Sequence, residues 1–202
     1  MPIILIYICF ILLSYVLGKS IVYELHIRKG DFMDFIKLAK DRYSLKSYDG
    51  RKVEKDKLDV ILEAAKLAPT AKNLQNNLIY VAESKEALAK VDELTPCRYG
   101  ASTILVISYD RSNVYTYPGG KYDSGFEDAA IVATHIILAA KSIGVDSCWI
   151  NNFDPDQARE VFDLPENEDV VCLIDLGYPR EGAGPLANHS KRKDLDEFVR
   201  YI

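Results

Sequence analysis

The sequence predicts an α+β fold rather than a doubly wound parallel sheet. Apolar runs of strand length and helical repeats are mixed without a regular βαβ rhythm. No Gly-rich dinucleotide loop follows any of the strand-like runs. The 202 residues, 49% hydrophobic and 27% charged, suffice for one domain with a sizeable core.

The elements follow in order. Asp34 to Lys40 predicts a short helix with Phe35, Ile36, Leu38 and Ala39 apolar. Val53 to Leu67 is the clearest amphipathic helix: Leu58, Ile61, Leu62 and Ala65 recur at i, i+3, i+4, i+7 with Lys and Glu opposite, and Pro69 ends it. Leu78 to Ala82 predicts a strand. Ser84 to Val91 predicts a helix capped by Ser84, with Ala87, Leu88 and Val91 inward. Thr103 to Tyr109 is β-branched and apolar, a second strand. Arg111 to Asp123 is rich in Tyr, Gly, Pro and Asn and reads as a loop. Its Tyr115, Tyr117 and Tyr122 suit a substrate mouth or a surface loop that packs down on its aromatics. Phe126 to Ile143 predicts a long helix stopped by Gly144. It has almost no polar face, so it is expected to be buried on all sides, part of that cover coming from a second subunit. His135 within it reads as a hydrogen-bonded core or interface residue. Ser147 to Ile150 is a strand, and Asp154 to Phe162 a helix with Asp154 as cap and Pro155 at its first position. Val170 to Leu176 is a buried strand ending in Gly177-Tyr178-Pro179. Lys193 to Tyr201 predicts a final helix.

Composition narrows the function classes. The net charge is −5 and no long basic run occurs, which disfavours nucleic-acid binding. Cys9, Cys97, Cys148 and Cys172 are scattered, with no CxxC pair or Cys/His ligand spacing, so zinc is not expected. Cys148 and Cys172 lie in apolar runs and read as small core residues. Reduced thiols fit a cytoplasmic protein.

The N-terminal stretch stands apart. Pro2 to Leu17 is almost wholly apolar, yet shorter than the roughly 20 residues that span a bilayer. It has no Lys or Arg ahead of the apolar run and no small-x-small cleavage site. A membrane anchor, an atypical signal segment and sequence outside the working protein all fit. The third is preferred. Arg28-Lys29-Gly30 is encodable as an unbroken purine run, and Asp31-Phe32 spaces it from Met33, the layout of a ribosome-binding site before a start codon. The expectation is an extension at 1–32 and one working domain at 33–202.

Two polar signatures flank the helix at Val53 to Leu67, which can bring both loops to one site. Arg42-Tyr43-Ser44-Leu45-Lys46 offers a guanidinium fork, a hydroxyl and a mobile ammonium, a set that gathers around a phosphate. Ala68-Pro69-Thr70-Ala71-Lys72-Asn73-Leu74-Gln75 offers carboxamides, which donate and accept at once and suit a heteroaromatic edge with C=O and N–H groups. Together they describe a nucleotide-like cofactor. Lys191-Arg192-Lys193 adds late positive charge; on spacing alone it is equally a solvated basic stretch.

The pair resembles the flavin-contacting segments of the nitroreductase family, FMN-dependent NAD(P)H oxidoreductases whose usual forms are close to R-R-S-x-R and A-P-S-x-x-N-x-Q-P. The resemblance runs from about Met33 to the C-terminus. It includes Asp128-Ala129-Ala130, Gly144-Val145-Asp146-Ser147-Cys148-Trp149-Ile150, Leu176-Gly177-Tyr178-Pro179 and Arg192-Lys193-x-Leu195. It implies an α+β sandwich, a mixed or antiparallel central sheet flanked by helices, in an interlocked homodimer with FMN at the subunit interface. Carried over by position, Arg42, Tyr43, Ser44, Arg192 and Lys193 hold the phosphate and ribityl end, and Lys46 sits by the pyrimidine edge. Asn73 bonds the pyrimidine ring with Gln75 nearby, and Pro69 and Thr70 come from the partner subunit along the isoalloxazine. Ile150, Asn151 and Asn152 run past N5.

Three departures mark this chain: Lys46 where Arg is usual, Asn76-Asn77 in place of Pro and a large residue, and Asn151-Asn152 where Gly is common. The resemblance implies hydride transfer from NADH or NADPH to flavin and on to a nitroaromatic, quinone or similar acceptor with ping-pong kinetics, and no acid–base dyad or metal. A non-catalytic flavin-binding store or redox sensor is the alternative. A membrane-tethered interaction protein is a third reading, which needs the N-terminal segment.

Overall fold

The structure, a computed structural model, describes residues 34–202; the N-terminal apolar segment and the start at Met33 lie outside the described residues. Residues 35–202 form one compact unit. Four strands, β1 (Asn77–Ala82), β2 (Thr103–Asp110), β3 (Asp146–Ile150) and β4 (Glu168–Gly177), pair in the order β1-β2-β4-β3, every pairing antiparallel. The sheet is therefore antiparallel throughout rather than mixed. The register sets Asn77 opposite Tyr109, Thr103 opposite Leu176 and Cys148 opposite Asp175. Among the described residues six α-helices accompany it: α1 (Phe35–Asp41), α2 (Lys55–Lys66), α3 (Lys85–Leu94), α4 (Gly125–Ser142), α5 (Pro155–Val161) and α6 (Leu195–Phe198).

Both faces of the sheet are covered, which is why β2 and β4 read as unbroken apolar runs rather than alternating ones. Leu105, Ile107, Ile174 and Leu176 pack against Ile61 and Ala65 of α2 and Ala133 and Ile136 of α4. Ile104, Val106, Leu173 and Cys148 face the other way, against Val91 and Leu94 of α3, Ala158 of α5, Leu45 of the first signature and Tyr48 just after it. That signature is thus partly core: Leu45 within it and Tyr48 beyond it anchor the segment, while Arg42, Ser44 and Lys46 present polar groups.

The local signals act as expected where the chemistry is local. Ser84 Oγ accepts from Ala87 N at 3.0 Å, and Asp154 Oδ1 from Asp156 N at 3.0 Å ahead of Pro155. Gly144, at φ +77, closes α4 with Val145 N donating to Ala140 O at 2.9 Å. At the other end of α4, a Cβ on Gly125 would lie 2.1 Å from the Tyr109 ring, so only glycine fits.

One expectation is corrected and one is left open by a single chain. In helix α4, Ala129, Val132, Ala133, Ile136 and Ala140 form one buried face, Phe126 and Thr134 are exposed, and Ile131, Ile137 and Leu138 are half-covered, so any further cover has to come from a second subunit. Its uniform apolarity hides a face that this chain alone does not cover. The final helix is only Leu195–Phe198; Asp194 forms a capping box with Glu197, and Val199 is already extended. His135 Nδ1 donates to Ile131 O at 2.9 Å, as a satisfied helix histidine. Among the described residues no helix is long and apolar enough to cross a membrane.

Candidate functional site

The first signature is laid along the start of β3. Leu45 N donates to Ser147 O at 3.0 Å, Tyr48 N to Tyr99 O at 3.0 Å, and Arg180 N to Ser47 O at 3.1 Å. Tyr43 is fixed by its hydroxyl, which donates to Asp146 Oδ2 at 3.2 Å, while Lys141 donates to the other oxygen of that carboxylate at 2.7 Å and also lies over the Tyr43 ring. Burial, and then the Asp146 charge, push the Tyr43 phenol up to about 12, so it stays a neutral donor.

The C-terminal segment reaches the same place through His189. Its Nε2 lies 2.9 Å from Lys40 O and its ring meets the edge of Tyr43 at 6.1 Å. Arg192 is oriented by donating to Lys191 O at 2.7 Å and to His189 O. The result is a cleft of about 260 Å³ lined by Arg42, Tyr43, Ser44, Lys46, His189 and Arg192, with Leu186 and Asn188 at its rim. No carboxylate belongs to that lining, and among the described residues neither Arg42 nor Lys46 has a salt-bridge partner. Cations from residues 150 positions apart converge there on a serine hydroxyl, which fits an anion such as a phosphate. Lys193 is exposed and outside the lining.

Lys46 links this cleft to the end of β3. Its ammonium lies 5.7 Å from the Tyr99 ring centre, and Tyr99 hydrogen-bonds the Cys97 thiol. Asn152 Nδ2 lies 3.5 Å from the same sulfur. The Tyr99 hydroxyl, then Asn152, Thr95 and the Lys46 charge, hold the Cys97 thiol below its ordinary value. Cys148 and Cys172 are buried, and burial pushes them up to about 11 and about 12. Ile150 is buried; Asn151 is held by donating to Val171 O at 2.8 Å while accepting from Trp149 Nε1.

The second signature lies elsewhere in the chain. Residues 68–75 leave α2 in a loop whose Lys72, Asn73 and Gln75 all have left-handed backbone, φ 50, 57 and 51. Asp128 Oδ1 accepts from Ala71 N at 2.8 Å, Thr70 Oγ1 from Gln75 N at 3.1 Å, and Lys72 lies 4.3 Å from the Tyr115 ring centre. The Tyr-rich segment thus packs onto this loop, with Tyr115 and Tyr117 in contact at 5.6 Å and Tyr122 exposed. Thr70 and Gln75 line a separate cleft of about 300 Å³ with Leu62, Ala65, Lys66, Ala68, Asn77, Ile79 and Val132. Pro69 and Asn73 are exposed outside that lining.

Flanking one helix therefore does not bring the two signatures into one cleft of one chain: their linings share no residue. Sequence reasoning missed Asn188 and His189, whose only signal is proximity to Arg192. It also missed the Cys97–Tyr99 pair, and it quoted Asp128 within a motif without its role of holding Ala71 N, which tertiary contacts alone bring in. Among the described residues no group of His, Cys, Asp and Glu could hold a metal ion.

A two-faced antiparallel α+β sheet with an anion cleft at one edge and a second cleft of aliphatic, lysine, hydroxyl and carboxamide side chains at another is the frame of a cofactor-binding protein. Residues 39–99 and 98–178 match the nitroreductase family, and the chain belongs to that family. It is similar to a nitroreductase family protein of Clostridium difficile 630 of solved structure, at 35% identity and a TM-score of 0.79, covering 84% of this chain and 98% of that one. It is also similar to a protein of Archaeoglobus fulgidus provisionally named NADH dehydrogenase/NAD(P)H nitroreductase. The two are 30% identical over 156 residues, 72% of this chain and 86% of the relative. A solved FMN-dependent nitroreductase of Clostridium difficile R20291 matches at 30% identity and a TM-score of 0.59, covering 79% of this chain and 98% of that one. The family match ends at Tyr178, so Arg192 lies beyond it.

Proposed function

We propose that this protein is an FMN-dependent oxidoreductase that passes hydride from NADH or NADPH through the flavin to a small acceptor such as a nitroaromatic or a quinone. The observation that carries the reading is the cleft in which Arg42, Lys46 and Arg192 meet Ser44 without a carboxylate in the lining. The FMN dependence of the Clostridium difficile R20291 relative and the NAD(P)H named for the Archaeoglobus relative support it.

Arg42, Ser44 and Arg192 hold the phosphate by charge-assisted hydrogen bonds, each worth about 1.5–3 kcal/mol. Tyr43, neutral and fixed by Asp146, forms the wall beside them. Lys46 supplies a cation towards the ring, and Asn152 follows from the end of β3. When bound, FMN supplies a two-electron relay between nicotinamide and acceptor. Donor and acceptor use one stacking face in turn, which gives ping-pong kinetics.

Two copies complete the site in this reading. The ring-facing residues Pro69, Thr70 and Gln75 of one copy meet the phosphate cleft of the other. Exposed Leu67, Leu195, Phe198 and Tyr201, with the half-covered face of α4, supply apolar surface for such a homodimer. Residues 33–202 form the working unit, with the free thiols of Cys97, Cys148 and Cys172 suited to the cytoplasm.

The test is titration of cofactor-stripped protein with FMN, followed by initial rates with NADPH and a quinone. Quenching of flavin fluorescence at stoichiometric FMN and parallel double-reciprocal lines are expected. Intersecting lines would contradict the shared stacking face.

A further inference from the structure

The loop that follows α2 is held in a shape its residues do not prefer. Lys72, Asn73 and Gln75 have left-handed backbone, φ 50, 57 and 51. Asn takes that region readily through its short polar side chain; Lys and Gln take it at a cost. Such conformations persist where surrounding contacts over-determine them, and they gather at working sites. Within the loop, Asn73 N donates to Thr70 O at 2.9 Å, Leu74 N to Ala71 O at 3.0 Å and Gln75 N to Thr70 Oγ1 at 3.1 Å. Ala71 N is the amide among these whose acceptor lies in another element: Asp128 Oδ1, in the first turn of α4, at 2.8 Å. The Tyr-rich segment adds looser holds, with the Tyr115 ring centre 4.3 Å from the Lys72 ammonium and Asn113 Nδ2 3.4 Å from Leu74 O.

Asp128 is 1% exposed, in a place where an aliphatic side chain would bury no polar group. Its Oδ2 is buried without a partner among the described residues, so Ala71 N is the donor this side chain meets. The helix dipole favours a carboxylate in the first turn of α4, and a carboxylate accepts more strongly than a neutral oxygen of the same reach. The arrangement is a brace. A fixed acceptor on a long helix holds the first amide of a loop that would otherwise relax towards right-handed backbone.

We infer that Asp128 is a positioning residue: through Ala71 N it keeps residues 68–75 in the strained form that presents Thr70 and Gln75 to the cofactor. This role rests on the flavin function proposed above, in which those residues face the ring. Where only the braced form binds, apparent affinity falls with the fraction of chains still braced. Loss of one charge-assisted hydrogen bond reduces that fraction to about a tenth or less.

The experiment compares wild type, Asp128→Ala and Asp128→Asn in the full chain. It reads amide hydrogen exchange of residues 70–76 without ligand, and FMN titration of cofactor-stripped protein. In Asp128→Ala, exchange in the loop should quicken and FMN affinity should fall, each by about tenfold or more, while β2 and β4 exchange as in wild type. Asp128→Asn, which keeps an acceptor oxygen without the charge, should fall between the two on both readouts, and it serves alone should the alanine variant fail to fold. Adding Lys72→Gly to Asp128→Ala should recover part of the lost FMN affinity, because glycine takes the left-handed region without the cost. Unchanged loop exchange overturns the brace. Faster exchange with unchanged FMN affinity overturns the positioning role and leaves a structural contact. Affinity that falls only together with faster exchange in β2 and β4, or with dissociation to a monomer, overturns it as well, as does a double variant with no recovery. Wild-type protein that binds no FMN overturns the flavin function instead, and the exchange rates still decide the brace.

Discussion

Asp175 gives the most quantitative prediction. It lies in the middle of β4, opposite Ile104 on one side and Cys148 on the other, at 0% exposure, and neither carboxyl oxygen has a partner. Burial pushes it up to about 9; the Arg98 charge pulls it down without offsetting burial, and Cys97 and Asp92 add to the rise. The folded protein therefore holds this proton where the unfolded chain, with a carboxyl near 3.8, has lost it. With the folded value raised, the stability contribution is complete below the unfolded value and is lost as pH climbs towards about 9. The slope is about 1.4 kcal/mol per pH unit, or about 4 kcal/mol between pH 5 and 8, a ceiling that water penetration lowers. Against a total of about 5–15 kcal/mol this is readily measured. Asp175→Asn copies the neutral acid in shape and does not titrate. Urea unfolding of both proteins at pH 5, 6, 7 and 8 should show the variant gaining on wild type by about 1 kcal/mol or more per unit. A difference that stays constant with pH would refute the buried neutral acid. That constant difference is what an ionised Asp175 held by Arg98 would give, because folded and unfolded chains would both be deprotonated between pH 5 and 8.

Three further outcomes follow from the site. Arg42→Ala should weaken FMN binding by about 10- to 100-fold in a fluorescence titration, with an unchanged melting temperature, because its guanidinium carries no structural ion pair; full occupancy would remove Arg42 from the phosphate site. Of Cys97, Cys148 and Cys172, Cys97 should be alkylated first by iodoacetamide near neutral pH, as peptide mass spectrometry reads, since it alone is half-buried with a lowered pKa. Equal labelling of Cys148 would contradict the electrostatics of the cluster around Lys46. Mixing Arg42→Ala with a Thr70→Ala/Gln75→Ala chain should restore FMN binding that both lack alone, as one intact site forms in each mixed dimer; no recovery would place both halves of the site in one chain.

How far the sequence carried is clearest residue by residue. Helix α2, the caps at Ser84 and Asp154 and the stop at Gly144 were legible because each depends on neighbours within a turn or two. The buried strands β2 and β4 were legible from unbroken β-branched and apolar runs. Helix α4 was legible as a helix, but apolarity all round does not tell which face meets its own chain and which is left for another. The last helix was overlong because Asp194 and Glu197 start it after Lys193, and nothing sustains it past Phe198. In the site, Arg42 to Lys46 was legible as an anion-binding set, but its union with Arg192 rests on His189 bonding Lys40 across 149 positions. The separation of the two clefts was hidden for a related reason: α2 joins the loops along the chain, but the first signature lies along β3 and the second cleft along β1, the two opposite edge strands of the sheet. Cys97 and Tyr99 act only through contacts that folding creates.

The most direct measurement is the absorbance spectrum of the purified protein under anaerobic conditions, before and after NADPH and then NADH. A bound-flavin spectrum that bleaches rapidly with either donor, and returns when a quinone is added, is the result expected of an FMN oxidoreductase. Flavin colour that persists with both donors would make the protein a flavin-binding store or sensor, and protein that stays colourless after incubation with FMN would contradict the site itself.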